Sequence, residues 1–447
     1  MKRIVEYTKF AFSKENADEK TLVGDTYDNC QIINGKLHCG LRVSSCVNSN
    51  GMPVTMPANN LIPTRLFCLY RRVSGNMVPY LGALFGKGQL YYYDQSLNNK
   101  AGGWVEYYNF GTPTSVINVQ EESGSKRTYF FNKTAVYHYA GNVARTTAAN
   151  PIPRGCAFGG RIFTAMTGGK IIFSKPYLGS NYEIALEDSG YIILPIDNGE
   201  VCAVVVFQDM LYAFCEYGIY ALEAMGSALD FKVSRIEYVG EKIVGNSVTV
   251  CGDSCICFIS NGGMFAFDGK SVKQICKNIL VQPNRLEEGD GYGLYYDGKY
   301  HVSYKTEEYL MENIMVDLAT GEGCVMRMPT AFSVINGVPY CVENNQVKRV
   351  DFLRGELSAY GQGEFRLTTD FGTTKRKTIS RIWVNGVGNF SLLVGTDNAL
   401  KVLDCSSYIN PKKCFNVNRS GKDIILAVSI LGTSRVDDIS VEYETIG

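Results

Sequence analysis

Apolar and polar positions along this chain alternate at period two in short runs, and Gly, Asn or Asp cuts one run from the next. The spacing of three or four residues that marks an amphipathic helix is almost absent. What recurs is a strand, a turn and a second strand ending in Asp or Gly. The clearest copies are YFFNKTAVYHYAG (129–141), YAFCEYGIYALE (212–223) and CFISNGGMFAFDG (257–269). Weaker copies are LYYYDQ (90–95), FTAMTGGKIIFSK (163–175), YHVSYKTEEYLMENIMVDLATG (300–321) and YCVENNQVKRVD (340–351). First strands begin at 91, 129, 163, 212, 257, 300 and 340, so successive copies lie 38, 34, 49, 45, 43 and 40 residues apart.

A period near ~40 residues with several strands per unit predicts β-propeller blades. One small twisted sheet cannot cover both of its faces, whereas a ring of sheets covers each by its neighbours. Asn261-Gly262, Gly168-Gly169 and Asp268-Gly269 supply the positive φ that hairpin turns require. NCQIINGKLHCGLRV (29–43) reads as a hairpin around Asn34-Gly35, and the last copy, 333–351, looks short of four strands. The expectation is that this N-terminal hairpin pairs into the last blade and seals the ring.

After Phe352 the texture changes. A polar link, RGELSAYGQG (354–363), leads to seven short alternating segments at 364–370, 378–385, 390–396, 399–404, 412–418, 423–430 and 437–444. These read as an antiparallel β-sandwich. The predicted fold is therefore all-β: a β-propeller of about seven blades, with six to eight as the range, followed by a C-terminal antiparallel β-sandwich. The predicted domains are 1–357, a ring able to fold alone, and 358–447, an appended domain that mediates assembly.

Composition changes this picture little. The 447 residues are 45% apolar and 20% charged, ordinary globular usage that excludes wholesale disorder. Forty-four Lys and Arg balance forty-four Asp and Glu, which removes the footprint of a dedicated nucleic-acid or anionic-membrane binder. The longest apolar run, Val201–Phe207, has seven residues against the ~20 that span a bilayer, so no membrane span is predicted. Residues 1–20 contain no apolar signal core, and an odd total of fifteen Cys then predicts reduced thiols in a cytosol-like place of synthesis.

Candidate chemistry is sparse. Cys255 and Cys257 share a strand face and, with Cys251, give C-x3-C-x-C, which lacks the second ligand pair of a zinc site. Packing as small apolar side chains is the preferred reading. GLYYDGKY (293–300) and GMFAFDGKS (263–271) approach a phosphate loop, but both lie on strand–turn–strand segments, and neither matches its spacing and residues in full. His38, His138 and His301 sit inside strand-like copies with no ligand spacing. Glu187, Asp188, Glu287, Glu288 and Asp290 are carboxylates that a glycosidase pair could draw on, with nothing to single out two of them, and the sialidase Asp-box is missing. Tyr91, Tyr92 and Tyr93 could stack on sugars or bases, but blade packing accounts for them more simply. Lys375, Arg376, Lys377 and Arg381 cluster at the start of the appended domain and form a candidate assembly contact. No catalytic, cofactor or metal residue is assigned.

The order of parts carries a resemblance. DTYDNCQIINGKL runs from Asp25 to Leu37, with Asn29 and Gly35 between them. FGGRIFTA…KIIFSK (158–175), VVVFQDMLYAFCEYGIYALE (204–223) and CFISNGGMFAFDGKSVKQI (257–275) follow, and the tail opens with TTDFGTTKRKTISRIWVNGVGNFSLLVGTD (368–397). From about residue 24 onward this succession resembles β-propeller structural proteins of tailed bacteriophages, including packaged-DNA stabilisation and tail nozzle-type components. The resemblance implies a virion protein without enzymatic activity or cofactor, made in the bacterial host cytoplasm and built into the tail or neck around the DNA exit path. Its implied partners are other tail or portal-complex proteins, further copies of itself in a ring and, transiently, phage DNA. Two competing readings are a glycan-binding or glycan-cleaving propeller for host adsorption and a host scaffold propeller that binds proteins.

Overall fold

A computed structural model describes residues 2–57, 63–86, 88–111, 115–120, 126–132, 136–139, 143–145, 151–176, 188–237, 241–260, 262–279, 291–305, 311–327, 330–351, 356–357, 362–396, 399–404 and 412–446. Strands dominate, as the alternation predicts. Among the described residues the only helical pieces are one α-turn, Leu97–Lys100, and four short 3-10 turns.

Six four-stranded antiparallel sheets follow one another in chain order over 63–109, 115–145, 151–193, 201–237, 249–275 and 291–325. Each strand pairs with the next, so every sheet is a meander, which is how a propeller blade is built. The chain falls into two compact units, and most of these blades belong to the unit formed by Ser45–Glu312 and Thr330–Arg349.

Within that unit the first strands of the sheets touch in a closed cycle. Pro63–Val73 meets Ser115–Gln120, then come Pro151–Phe158, Val201–Phe207, Thr249–Cys251, Gly291–Tyr296 and Thr330–Ile335, and the last returns to Pro63–Val73. Neighbouring sheets bury large side chains between them. Phe67, Leu84 and Tyr92 pack against Phe130 and Tyr137, and Phe163 and Phe173 against Val204 and Leu222. Phe214 and Ile219 pack against Phe258 and Phe267. Each such aromatic contributes ~2–3 kcal/mol by leaving water, and the gain exists only when two blades meet. The ring is therefore the smallest unit that satisfies the sequence pattern.

Closure follows expectation in part. Thr330–Ile335, Val338–Glu343 and Gln346–Asp351 form the last meander, the N-terminal strand Arg42–Ser45 lies next to Gln346–Asp351 in the same five-stranded sheet, and residues 46–56 also bond to it. Cys46 N donates to Val347 O at 3.1 Å, Val347 N to Val54 O at 2.8 Å, and Met56 N to Asn345 O at 2.8 Å. This layer then packs on the first blade, with Val54, Val342 and Val347 against Leu66, Ala83 and Phe85. The two strands around Asn34-Gly35, by contrast, have another place. Cys30–Ile33 pairs with Lys36–Cys39 around Asn34 and Gly35, and Lys36–Cys39 joins Ile424–Thr445 through Arg435↔His38 and Val436↔Leu37. The physical reason is double burial. Leu37, His38 and Cys39 are consecutive and all buried, so both faces of the strand are covered, whereas a strand on a blade's outer edge needs only one covered face.

The second unit comprises Met1–Ser44, Asn313–Pro329 and Val350–Gly447, so the compact units interleave in sequence and do not separate at 357. Its centre is two long strands, Lys377–Thr396 and Ile424–Thr445, paired with each other along most of their length. Lys412–Gly421 flanks the first half of Lys377–Thr396, and Ala399–Asp404 flanks the second. Gln362–Thr369 borders the first half of Ile424–Thr445, and Lys2–Tyr7 borders its second half. Two sheets thus share two strands that bend from one into the other, giving one nine-stranded, nearly closed, barrel-like sheet. Segments 378–385 and 390–396 are one strand, as are 423–430 and 437–444. A ring truncated at 357 would leave Lys2–Tyr7 and Thr26–Asp28 without the strands they pair with, and Lys36–Cys39 with Cys30–Ile33 alone.

The bend has local causes. Register shifts fall at Asn385/Gly386 and Val387/Asn389. A Cβ on Gly386 would sit 2.4 Å from the Arg435 carbonyl oxygen, and Gly388 has φ 92°. Ser434 Oγ accepts the Asn389 N–H at 2.6 Å and lies 2.7 Å from the Asn389 carbonyl, pinning the corner.

Candidate functional site

Three thiols converge where the fifth blade's first hairpin turns. Thr249–Cys251 pairs antiparallel with Cys255–Ser260, which sets Cys251 directly opposite Cys255, while Cys257 follows Cys255 on the same face. Period two in one strand and a three-residue turn between two strands are together sufficient to gather them. The three sulfurs all lie within 4.8 Å of one another, with Cys255 Sγ 3.6 Å from Cys257 Sγ. Cys251 and Cys257 are buried, whereas Cys255 is half-buried. Hydrogen bonds from Cys251 and then Cys257 pull the Cys255 thiol down to about 4, and the same shared contacts push Cys251 and Cys257 up. The three thiols share these contacts and titrate as a coupled unit. All fourteen cysteines among the described residues are free.

The basic cluster divides. Lys375, Arg376 and Arg381 are exposed, but Lys377 is fully buried and its ammonium donates to the Lys422 carbonyl. Arg376 also reaches the Ser420 carbonyl at 3.4 Å. Three of the four can therefore meet a partner, and Lys377 belongs to the core of the sandwich.

The carboxylates separate as well. Glu187, Glu287, Glu288 and Asp290 lie outside the described residues. Asp188 is taken up by Arg161, whose Nη2 stands 3.7 Å from Asp188 Oδ1 while Nη1 donates to the Asp188 carbonyl. Both phosphate-loop look-alikes are hairpin turns, one at Asp297-Gly298 and one in which Asp268 Oδ1 accepts from Lys270 N and Ser271 N. Tyr92 and Tyr93 are buried on opposite sides of the first blade, and the Arg71 guanidinium stands 4.7 Å from the Tyr92 ring centre. Tyr93 also borders a cleft of about 600 Å³ with Tyr80, Asp94, Ile335 and Tyr340, a feature the sequence did not announce because its walls come from the first and last blades.

The side chain of His138 lies outside the described residues, and the other two histidines are buried. Burial, then Arg435 and Arg42, hold His38 down to about 4, and burial with Lys299 nearby holds His301 down to about 3. Both stay neutral in the fold. Between pH 6.5 and these values the unfolded chain binds protons that the folded chain does not, so folding stability falls as pH drops. We expect a loss of ~1 kcal/mol per histidine on going from pH 7 to pH 5.5, measured by urea unfolding. His38→Gln and His301→Asn should each flatten the profile in that window, and an unchanged slope in both variants would refute the assignment.

No model of a protein family matches the chain, and no curated protein matches it. Solved structures similar to it include Raptor of Chaetomium thermophilum, at 11% identity and a TM-score of 0.43 over 70% of this chain and 30% of that one. BamB of Moraxella catarrhalis is 11% identical with a TM-score of 0.38, over 73% of this chain and 96% of that one. The computationally designed Ika8 protein is 10% identical with a TM-score of 0.37, over 67% and 98% of the two chains.

Proposed function

We propose that this chain is a non-enzymatic structural subunit of a phage virion, placed in the tail or neck around the DNA exit path and acting in tail assembly and genome delivery. The observation that supports the reading best is the contrast between the two units. The propeller's first strands close on one another, leaving that inner layer no end to extend. The sandwich ends at Ala399–Asp404, which among the described residues pairs on one side only, with Lys377–Thr396. Leu400 and Val402 on one face of this edge strand are 66% and 63% exposed, while Leu403 on the opposite face is buried. An edge strand with outward apolar side chains suits addition of a strand or a sheet from a neighbouring subunit. Lys375, Arg376 and Arg381 on the same unit would orient acidic neighbours, and repetition of one such heterologous contact would close a ring. The partners in this reading are other tail or portal-complex proteins and further copies of the chain, with transient contact to DNA. Synthesis takes place in the host cytoplasm.

The cleft with Tyr80, Tyr93, Tyr340 and Asp94 favours a second reading, a glycan-binding propeller for host adsorption. One comparison separates the two. The triple variant Lys375→Glu, Arg376→Glu, Arg381→Glu should keep its stability within ~0.5 kcal/mol because all three are exposed. Particles purified with it should incorporate less of the chain, and the deficit should depend on salt during assembly. Normal incorporation at every salt concentration, with Tyr80→Ala particles failing to adsorb to host cells, would favour the glycan reading instead.

A further inference from the structure

We propose that Cys251, Cys255 and Cys257 form a trithiolate site for a soft, thiophilic cation held by three sulfurs, of which Cu(I) is the representative. The geometry is already close to what such an ion needs. Three sulfurs at ~2.3 Å from a central ion stand ~4 Å apart in a trigonal plane, and here all three fall within 4.8 Å of one another, two of them at 3.6 Å. The donor set selects for softness, because thiolates without imidazole or oxygen partners favour Cu(I) over harder ions. Among the described residues no fourth His, Cys or carboxylate joins the group, so a tetrahedral ion would be left incompletely held.

Access is consistent with loading. Cys255 is the half-buried member of the three, which makes it the entry point. As the ion settles, Cys251, Cys255 and Cys257 each release a proton to solvent, so three S–H bonds are replaced by three metal–sulfur bonds with no change of oxidation state. The hairpin fixes the sulfurs in advance: Cys251 and Cys255 are cross-strand partners, and the turn between them is anchored by Gln208 Nε2 donating to the Asp253 carbonyl at 3.0 Å. The signal in the sequence is C-x3-C-x-C itself, read as a cross-strand pair plus a same-face neighbour.

The test is an anaerobic titration of the full chain with Cu(I) against a chromophoric Cu(I) chelator. One equivalent should leave the chelator, with a thiolate-to-copper absorption band appearing in the ultraviolet. Cys255→Ser and Cys251→Ser should each weaken binding by more than the ~10–100-fold that loss of a ligand's hydrogen-bond partner costs. Cys414→Ser, at an exposed cysteine outside the cluster, should leave the affinity unchanged. In the wild-type protein, where folding is not at issue, one equivalent of Cu(I) should protect Cys255 from alkylation. Absence of copper withdrawal, binding that survives Cys255→Ser, stoichiometry that follows Cys414, or Cys255 alkylated at its original rate would each overturn the site. Zn(II) held at the same sulfurs as tightly as Cu(I) would overturn its selectivity.

Discussion

Replacing Arg161 by Ala should cost about 3–5 kcal/mol of unfolding free energy, among the largest single losses expected in this protein. Arg161 is almost fully buried. Its Nη1 donates to the Ser174 carbonyl at 3.1 Å and to the Asp188 carbonyl, and its Nη2 donates to the Gly226 carbonyl at 3.1 Å. The guanidinium also lies over the rings of Phe173 at 5.6 Å and Phe231 at 5.5 Å. Alanine removes the donors but leaves the carbonyls buried, so their desolvation goes uncompensated while a cavity opens between the third and fourth blades. Lysine keeps the charge but not the planar fork, and Arg161→Lys should recover less than half of the loss. Urea unfolding followed by tyrosine fluorescence measures both variants. A loss below ~1 kcal/mol for Arg161→Ala would mean that water reaches the three carbonyls and that the guanidinium is not their essential partner.

The second large effect sits in the sandwich. Lys377→Glu should destabilise by at least ~3 kcal/mol, and Lys375→Glu, two residues away, by no more than ~0.5 kcal/mol. Lys377 is fully buried, and its ammonium donates to the Lys422 carbonyl, whereas Lys375 is exposed. A carboxylate at 377 would face a carbonyl oxygen with no proton to offer, in a place where a charge is costly to desolvate. Lys377→Met removes charge and donor together and should fall between the two. Thermal unfolding of the three variants ranks them, and equal midpoints for Lys377→Glu and Lys375→Glu would show that the 377 side chain swings out to solvent.

These two residues also show what the sequence could disclose. The blades were legible because each strand buries alternate residues and each turn needs Gly or Asn at positive φ, and both marks are local. The sandwich segments were legible for the same reason, but their continuity was not. Asn385-Gly386-Val387-Gly388 reads as a hairpin turn, and Gly-containing bulges in a bent strand draw on the same residues. What decides between them is the partner, Arg435 and Ser434, some fifty residues downstream. Lys377 could have been read correctly. It lies two positions before Ile379, so period two places it on the inner face. Its place in the basic run Lys375-Arg376-Lys377 masks that signal. The thiols were half legible: the shared face of Cys255 and Cys257 follows from spacing, while Cys251 joins them only once the turn at 252–254 is known to be three residues long. Arg161 gave no signal, because its acceptors are backbone carbonyls at 174, 188 and 226, and backbone atoms leave no trace in composition.

The pairing of Lys2–Tyr7 with the far end of Ile424–Thr445 sets an order of events during synthesis. Lys2 stands opposite Glu444, so this strand has its partner far downstream in the chain and must wait for it during synthesis. At ~5–20 residues per second that partner arrives roughly 20–90 s later. In the interval the neighbouring blades can each find their partners locally, since every meander contacts the one made just before it. The opening segment cannot. Its Phe10, Phe12 and Leu22, all buried in the finished protein, spend that time exposed or provisionally covered. Aggregation during expression should therefore depend on how long the nascent chain waits for Ile424–Thr445, and slowing translation between the last blade and that strand should harm yield more than slowing it over the blades.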